Sequence, residues 1–87
     1  MTVRILDLTQ VRTGDRPAWR FTLRLDAAVE LRECFARRSR DGKTWAIYGP
    51  VRRDHGATVP LATWSPAMRE AIADELEIAI ALSGVAA

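Results

Sequence analysis

The side chains best suited to bind or to react lie in one short segment near the middle of the chain. In YGPVRRDHG, residues 48–56, an aromatic residue and Gly-Pro precede Arg52 and Arg53, and His55 is the single histidine of the sequence. That histidine and the single cysteine, Cys34, are the one cysteine–histidine pair that could act as nucleophile and base. The segment is therefore a candidate for a catalytic corner, a nucleic-acid contact or an ordinary polar turn.

Sequence signatures of catalysis are absent from the chain. It contains no glycine-rich phosphate loop, no paired-cysteine zinc spacing, no HExxH and no GxSxG. We expect Cys34 within a strand and His55 in a turn, so we interpret them as a sheet cysteine and a solvated histidine. One histidine and one cysteine also fall short of an ordinary zinc site. We therefore expect a non-enzymatic protein with no catalytic residue, no metal and no cofactor.

The charged residues are sorted along the chain, although the formal net charge is only +2. Residues 1–54 hold 12 of the 13 basic residues against 7 acidic ones, whereas residues 55–87 hold one arginine against 4 acids. Twelve of the 13 basic residues are arginine, whose planar guanidinium suits phosphates and base edges. A GC-rich genome, which favours arginine codons, is the other explanation of this bias.

Length and composition predict one small globular domain over residues 1–87. An apolar content of 48% and a charged content of 28% are ordinary for globular proteins. A chain this short buries a limited share of its surface, so self-association would add stability. No apolar run approaches the roughly 20 residues of a membrane span, and the N-terminus lacks a secretory signal pattern. With a single cysteine, which cannot form an intramolecular disulfide, we expect a cytoplasmic protein.

The elements that position these residues are predicted as strands followed by a helix. Residues 2–64 predict about five strands, with alternation clearest over 18–26 and a hairpin turn at Asp41-Gly42. The last strand, 57–64, contains Pro60 and is therefore expected at an edge or broken there. Together these patterns predict an α+β fold, a curved antiparallel sheet with one C-terminal helix packed on it.

The helix is expected over about residues 66–82. Ser65 suits the N-cap, Pro66 the first helical position and Gly84 the stop. Apolar residues recur at helical spacing, but Ile78 and Leu82 lie off that stripe and widen the apolar face.

Matching of apolar residues predicts the pairing between the second and third strands. A three-residue loop over 27–29 sets Phe21 opposite Phe35 and Arg24 opposite Arg32. It also places Arg20, Arg24 and Arg32 on one face of the sheet. Its cost is that Glu33 points inward.

In a simple meander the basic residues gather at the two ends of the sheet. One end carries Arg12, Arg16, Arg37, Arg38, Arg40 and Lys43. The opposite end carries Arg52 and Arg53, near Asp26 and Asp54. Clustered arginines at a sheet end are typical of phosphate binding, but hairpin tips are charged in most soluble proteins. Tyr48 is the aromatic residue that we expect to be exposed, where it could stack on a base.

The stretch LDAAVELRECFARRSRDGKTWAIYGPVRRDHGATVP, residues 25–60, resembles the SpoVG (septation/sporulation protein G) family in the order of its elements. The resemblance implies a small α+β domain that forms homodimers through its sheet and binds DNA or RNA as a bacterial regulator. Pro50, Arg52 and Arg53 match the family's proline-plus-basic segment, and Arg69 lies near a basic position of the family helix. Gly49 and the acidic helix depart from the family pattern.

Two functions follow as hypotheses. The first is a small dimeric nucleic-acid-binding regulator that contacts phosphates through its arginine-rich turns, with Tyr48 and Arg69 as further contacts. The alternative is a protein–protein interaction module that uses the sheet edge and the helix face, with no nucleic-acid binding. Neither hypothesis involves a membrane.

Overall fold

The computed structural model of the protein describes residues 2–14 and 16–83. In chain order the elements are β1 (Val3–Thr13), β2 (Arg16–Leu25), β3 (Val29–Arg38), β4 (Trp45–Tyr48), β5 (Val51–Asp54), β6 (Ala57–Pro60) and α1 (Pro66–Ser83). Strands β1 to β4 form one antiparallel sheet in the order of the chain, while β5 and β6 form a separate two-stranded ribbon. The predicted α+β fold with a C-terminal helix is confirmed. The described residues form six strands rather than about five, because residues 51–54, expected as a turn, form a strand that pairs with 57–60.

The core lies between one face of the four-stranded sheet and α1. Trp19, Phe21 and Leu23 of β2 are fully or almost fully buried, as the alternation of that strand predicted. Ile72 and Leu76 of α1 are also inaccessible to solvent and form one cluster with Phe21 and Leu23. Removing this much apolar surface from water is the main source of stability in a domain of this size.

The start of α1 follows the sequence prediction. The backbone N–H of Met68 donates to Ser65 Oγ at 3.1 Å, so the serine satisfies one of the free donors of the first turn. The N–H of Arg69 donates to the Ser65 carbonyl at 2.9 Å, which is the first helical hydrogen bond. The predicted stop at Gly84 lies outside the described residues. Within 2–14 and 16–83, no helix has the length and apolar character that crossing a membrane requires.

The predicted register between β2 and β3 is wrong. Leu23 lies opposite Leu31, and Phe21 opposite Cys34, so Arg32 and Glu33 together face Thr22 alone. This two-against-one arrangement is a β-bulge, and Glu33 has a left-handed φ of 61°. The bulge leaves the Glu33 side chain exposed, so the expected cost of an inward-pointing acid does not arise.

A second bulge lies on the other side of β2. Leu6 pairs with Thr22 and Thr9 with Arg20, so Asp7 and Leu8 face Phe21 alone. Asp7 also has a positive φ, of 54°. Bulges bend a strand and increase its local twist, and here two of them flank the same part of β2. These two bulges are therefore a physical cause of the curvature that the sequence predicted for the sheet.

Gly49 joins the sheet to the β5–β6 ribbon at a point of close packing. A Cβ atom on this buried residue would lie 3.0 Å from Ala62 Cβ and 3.1 Å from Trp64 Cζ2. The Trp64 indole donates to the Ile47 carbonyl at 3.1 Å, and the Leu61 N–H donates to the Pro50 carbonyl at 2.8 Å. The segment after β6 therefore crosses directly over the end of β4, where a Cβ atom on residue 49 would make unusually tight contacts.

Candidate nucleic-acid interface

The face of the sheet that α1 does not cover is rich in arginine. Residues opposite each other on neighbouring strands share a face, and the residues on either side of a core position point the other way. By that rule the open face carries Arg4, Arg20, Arg24, Arg32 and Arg37. Three of these, Arg20, Arg24 and Arg32, were placed on one face by the sequence, and the shared face survives the change of register.

Carboxylates neutralise part of this face. Arg24 and Glu30 are directly opposite and form an ion pair at 2.6 Å, where the predicted register had placed Arg32. The hydrogen bond and the positive charge of Arg24 lower the pKa of Glu30. Further along, Asp7 and Glu33 line a shallow recess together with Arg20 and Arg32. The centre of the open face is therefore of mixed charge rather than uniformly basic.

The end of the open face next to β4 carries an aromatic pair. Phe35 lies opposite both Arg20 and Tyr48, and the ring centroids of Phe35 and Tyr48 are 6.2 Å apart. Tyr48 is 54% exposed, as the sequence predicted. The guanidinium carbon of Arg37 lies 5.7 Å from the centroid of the Phe35 ring. This part of the face therefore combines exposed aromatic surface with positive charge.

Phe35 was not predicted as a member of this surface. The expected register set it opposite Phe21, on the core side, whereas the bulge at Glu33 turns it to the open side. The same shift sends Cys34 into the core, because a slip of one residue exchanges the two faces of a strand. A left-handed acidic residue in mid-strand leaves no clear pattern in the sequence, so nothing there indicated the exchange.

Three of the predicted basic residues come together at the end of this aromatic surface. Arg16, Arg37 and Arg38 line one recess, which Tyr48 also lines, and the described residues that line it include no carboxylate. The Nε atom of Arg37 is buried and has no hydrogen-bond partner among the described residues. A buried donor without an acceptor is unfavourable. We name this recess and the Phe35–Tyr48 pair the aromatic–arginine recess.

Arg38 is held by the protein itself. It donates to Glu77 of α1 at 2.7 Å and lies 4.7 Å from the ring centroid of Trp45. The Trp45 indole donates to the same Glu77 oxygen at 3.0 Å. The Arg38 side chain is only 17% exposed. It therefore links β3, β4 and α1, which makes it a weaker candidate for a phosphate contact than Arg16 or Arg37.

The remaining basic residues predicted at this end are exposed. Arg12 lies on β1 opposite Pro17, and Arg40 and Lys43 lie in the loop between β3 and β4. In that loop Asp41 accepts hydrogen bonds from the Ser39 hydroxyl and from the Lys43 amide, which lower the pKa of Asp41. The loop thus carries a fixed carboxylate among its cations.

Arg52 and Arg53 lie within β5, not in a turn as expected. They pair with Val59 and Thr58 of β6 and, as neighbours on one strand, point to opposite faces of the ribbon. Only His55 and Gly56 form the turn, and both have positive φ, as two-residue type I′ turns require. The ribbon is exposed along most of its length. It therefore presents its two arginines on a short arm beside the sheet.

Arg69 does not line the recess of Arg16, Arg37 and Arg38, but it lines two others that also include Tyr48. It is exposed near the start of α1 and lines a groove along the free edge of β4, beside Trp45 and Tyr48. It also lines the recess between that edge and the base of the ribbon. Tyr48 lines both of these as well as the recess of Arg16 and Arg37, so it adjoins both sets of arginines.

The cysteine and the histidine are not brought together. Cys34 is fully buried beneath α1, and burial raises the pKa of its thiol to about 11. His55 is exposed at the tip of the ribbon, 3.5 Å from an oxygen of Asp54. Within residues 2–14 and 16–83, no cluster of histidine, cysteine and acidic residues could hold a metal ion. The described side chains thus give no support to a thiol nucleophile.

Comparison with known proteins finds no family model, no curated protein and no solved structure that matches this chain. The interpretation of the arginines and aromatic residues therefore depends on their own geometry.

Proposed function

We propose that the protein is a small non-enzymatic regulator that binds DNA or RNA and contacts phosphates through arginines. The observation that carries this proposal is the aromatic–arginine recess. Two arginines, Arg16 and Arg37, line it without an ion-pair partner among the described residues, and the exposed ring of Tyr48 lies beside them. A polyanion with flat aromatic bases complements both the charge and the aromatic surface.

The β5–β6 ribbon supplies a second group of contacts in this proposal. Arg52 and Arg53 are exposed, and neither forms an ion pair with a described residue. A guanidinium in this position can neutralise a phosphate without first breaking an internal bond. Arg12, Arg40 and Lys43 add positive charge at the end of the sheet that carries the aromatic–arginine recess.

Assembly, kinship and location are parts of the same proposal. We propose a homodimer joined through the sheet, for which the free edge of β1, on the side away from Tyr48, offers unpaired backbone groups. A cytoplasmic location fits a protein with a single, buried cysteine. As part of this proposal, the order of elements over residues 25–60 relates the protein to the SpoVG family.

Salt-dependent binding tests the proposed function. Fluorescence anisotropy of labelled DNA and RNA oligonucleotides should show binding that weakens steeply between about 50 and 200 mM salt, because each phosphate contact releases counterions. The double variant Arg16→Gln/Arg37→Gln should lower the slope of log K against log salt by roughly 1.4, about 0.7 for each contact to a single strand.

A matched control uses two arginines at the other end of the open face. Arg4→Gln/Arg24→Gln removes the same charge from residues that lie opposite each other, away from the recess. We expect a smaller change in slope, since Arg24 is already paired with Glu30. An absence of binding at low salt, or a flat salt dependence, contradicts the proposal.

A protein-interaction module is the second candidate, and one observation favours it. Ile78 and Leu82 of α1 are 51% and 83% exposed, so part of the wide apolar face of the helix faces solvent. A partner protein could cover this surface without any need for phosphate. Capture of a partner from nuclease-treated lysate that is abolished by Ile78→Ser/Leu82→Ser, together with no binding of oligonucleotides, would support this candidate over the first.

A further inference from the structure

We infer that the nucleic acid is bound as a single strand, with an unpaired base stacked on Tyr48 between two groups of phosphate-binding arginines. This inference rests on the proposed function, and it names the form of nucleic acid and the residue that selects it. The observation behind it is the place of Tyr48 at the meeting point of the aromatic–arginine recess and the groove that Arg69 lines.

The exposure of Tyr48 contrasts with that of the other aromatic residues. Trp19 and Phe21 lie in the core, while Trp45 and Trp64 each donate an indole hydrogen bond within the protein. Tyr48 makes no side-chain hydrogen bond to a described residue and leaves more than half of its surface in solvent. Its ring therefore remains available for a ligand.

The ring is also held in place. Tyr48 lies on β4 directly opposite Phe35 of β3, and the two rings are tilted by 38° at 6.2 Å. Phe35 thus supports one flank of the tyrosine and leaves the rest open. An aromatic side chain fixed on a strand can receive the flat face of a base with little loss of conformational freedom.

Tyr48 lines two recesses that both contain arginine. Arg16 and Arg37 line one of them, and Arg69 lines the other. A strand that crosses the edge of β4 would place a base on the ring and its two neighbouring phosphates towards these cations. The alternation of positive charge, aromatic ring and positive charge is typical of sites for unpaired nucleic acid.

A duplex does not complement this surface. Its bases are stacked on each other, so their flat faces are closed and only their edges can be reached in the grooves. The ribbon β5–β6, in contrast, has the shape of a two-stranded element that a major groove admits, and it carries Arg52 and Arg53. A preference for single strands therefore indicates binding at the sheet around Tyr48, whereas a preference for duplex indicates binding at the ribbon.

The test compares one labelled strand of about 16 nucleotides, alone and annealed to its complement, by fluorescence anisotropy at low salt. We expect the protein to bind the single strand more tightly. Tyr48→Ala should weaken single-strand binding by about 5- to 150-fold, the range seen when a stacking aromatic residue is truncated. Tyr48→Phe keeps the ring and should bind within about twofold of the wild type. Neither variant should change the salt slope, because no charge is removed.

The outcomes separate this inference from the proposed function. Duplex binding as tight as single-strand binding, or a Tyr48→Ala variant that binds normally while Arg16→Gln/Arg37→Gln is impaired, overturns the inference and leaves the proposed function standing. No binding of either form overturns both. Because Tyr48 is exposed, Tyr48→Ala should fold, which a thermal melt checks. Tyr48→Leu, apolar but without a ring, should lose single-strand affinity as alanine does, and normal binding by that variant also contradicts stacking.

Discussion

The four-stranded sheet and the β5–β6 ribbon both present arginines, but they hold them by different means. On the sheet, Arg38 is fixed by Trp45 and Glu77, and Arg37 lies over Phe35. On the ribbon, Arg52 and Arg53 extend from strands that contribute no residue to the core. The sheet can therefore orient a ligand through packed neighbours, whereas the ribbon offers charge with little structural support around it.

This difference determines which of the two surfaces can recognise the shape of a ligand. Recognition of a flat base needs a ring at a fixed place, and fixed places come from packing. Exposed cations without such support suit contacts that depend on charge alone. We therefore assign recognition of the base to the sheet and assign auxiliary phosphate contacts to the ribbon.

The largest expected effect separates the two regions by stability. Leu76→Ala removes a fully buried side chain of α1 beneath the sheet and should lower the free energy of unfolding by about 2–5 kcal/mol. Val51→Ala, in a ribbon residue that is 53% exposed, should change it by less than about 0.5 kcal/mol. Urea denaturation followed by tryptophan fluorescence measures both. A similar loss in the two variants would mean that the ribbon is also part of the stabilising core.

The next effect lies at the junction of the two regions. Gly49→Ala would place a methyl group about 3 Å from both Ala62 and Trp64 and should destabilise the protein by about 1–3 kcal/mol through overpacking. Adding Ala62→Gly removes one of the two clashes and should recover part of the loss, measured against Ala62→Gly alone. Wild-type stability of Gly49→Ala in the same urea titration would contradict the close packing.

A smaller effect concerns the hydrogen bonds that fix Arg38. Glu77→Ala removes the shared acceptor of Arg38 and Trp45 and should cost about 0.5–1.5 kcal/mol. Glu30→Ala removes the ion-pair partner of Arg24. Because the Arg24 side chain is more exposed than that of Arg38, we expect a smaller loss of stability than for Glu77→Ala. Thermal melts of the two variants make the comparison. If Glu30→Ala proves the more damaging, Arg38 is not the better-anchored arginine.

The smallest expected effect is a change of stability in acid. The pKa values of Glu30 and Asp41 are lowered in the folded protein by Arg24 and by the Ser39–Lys43 loop respectively. Because these pKa values are lowered, each ionised carboxylate stabilises the fold at a pH above its ordinary pKa, 4.5 for glutamate and 3.8 for aspartate. This stabilisation is lost as the pH falls through the pKa that the group has in the folded protein. Glu30→Gln and Asp41→Asn should therefore flatten the loss of stability below those values, measured by urea titration at several pH values. An unchanged pH profile in both variants would contradict these contacts.

The parts of the fold that the sequence predicted are those with strong local signals. Alternation over residues 18–26 placed Trp19, Phe21 and Leu23 in the core, and Ser65-Pro66 marked the start of α1. These features depend on burial and on helix capping, which act within a few residues. The exposure of Tyr48 followed from the strand predicted at 44–49, in which Tyr48 is on the face opposite Trp45 and Ile47.

The parts that escaped prediction depend on contacts between distant residues. The bulge at Glu33 is set by how β3 meets β2, and it alone decides that Phe35 is on the open face. The strand at residues 51–54 has no apolar alternation, because neither of its faces is buried. The hydrogen bond from Arg38 to Glu77 joins residues 39 positions apart. Much of the candidate site was therefore beyond reach of the sequence alone.

An NMR titration of ¹⁵N-labelled protein with a single-stranded oligonucleotide tests directly whether the sheet around Tyr48 recognises the base, because it compares the sheet and the ribbon in one experiment. We predict the largest amide shift changes at residues 35–37 and 45–48, with smaller ones along 51–54. The same titration with Tyr48→Ala should greatly reduce the changes at the sheet. Shift changes confined to the ribbon, or none at any residue, would contradict the account.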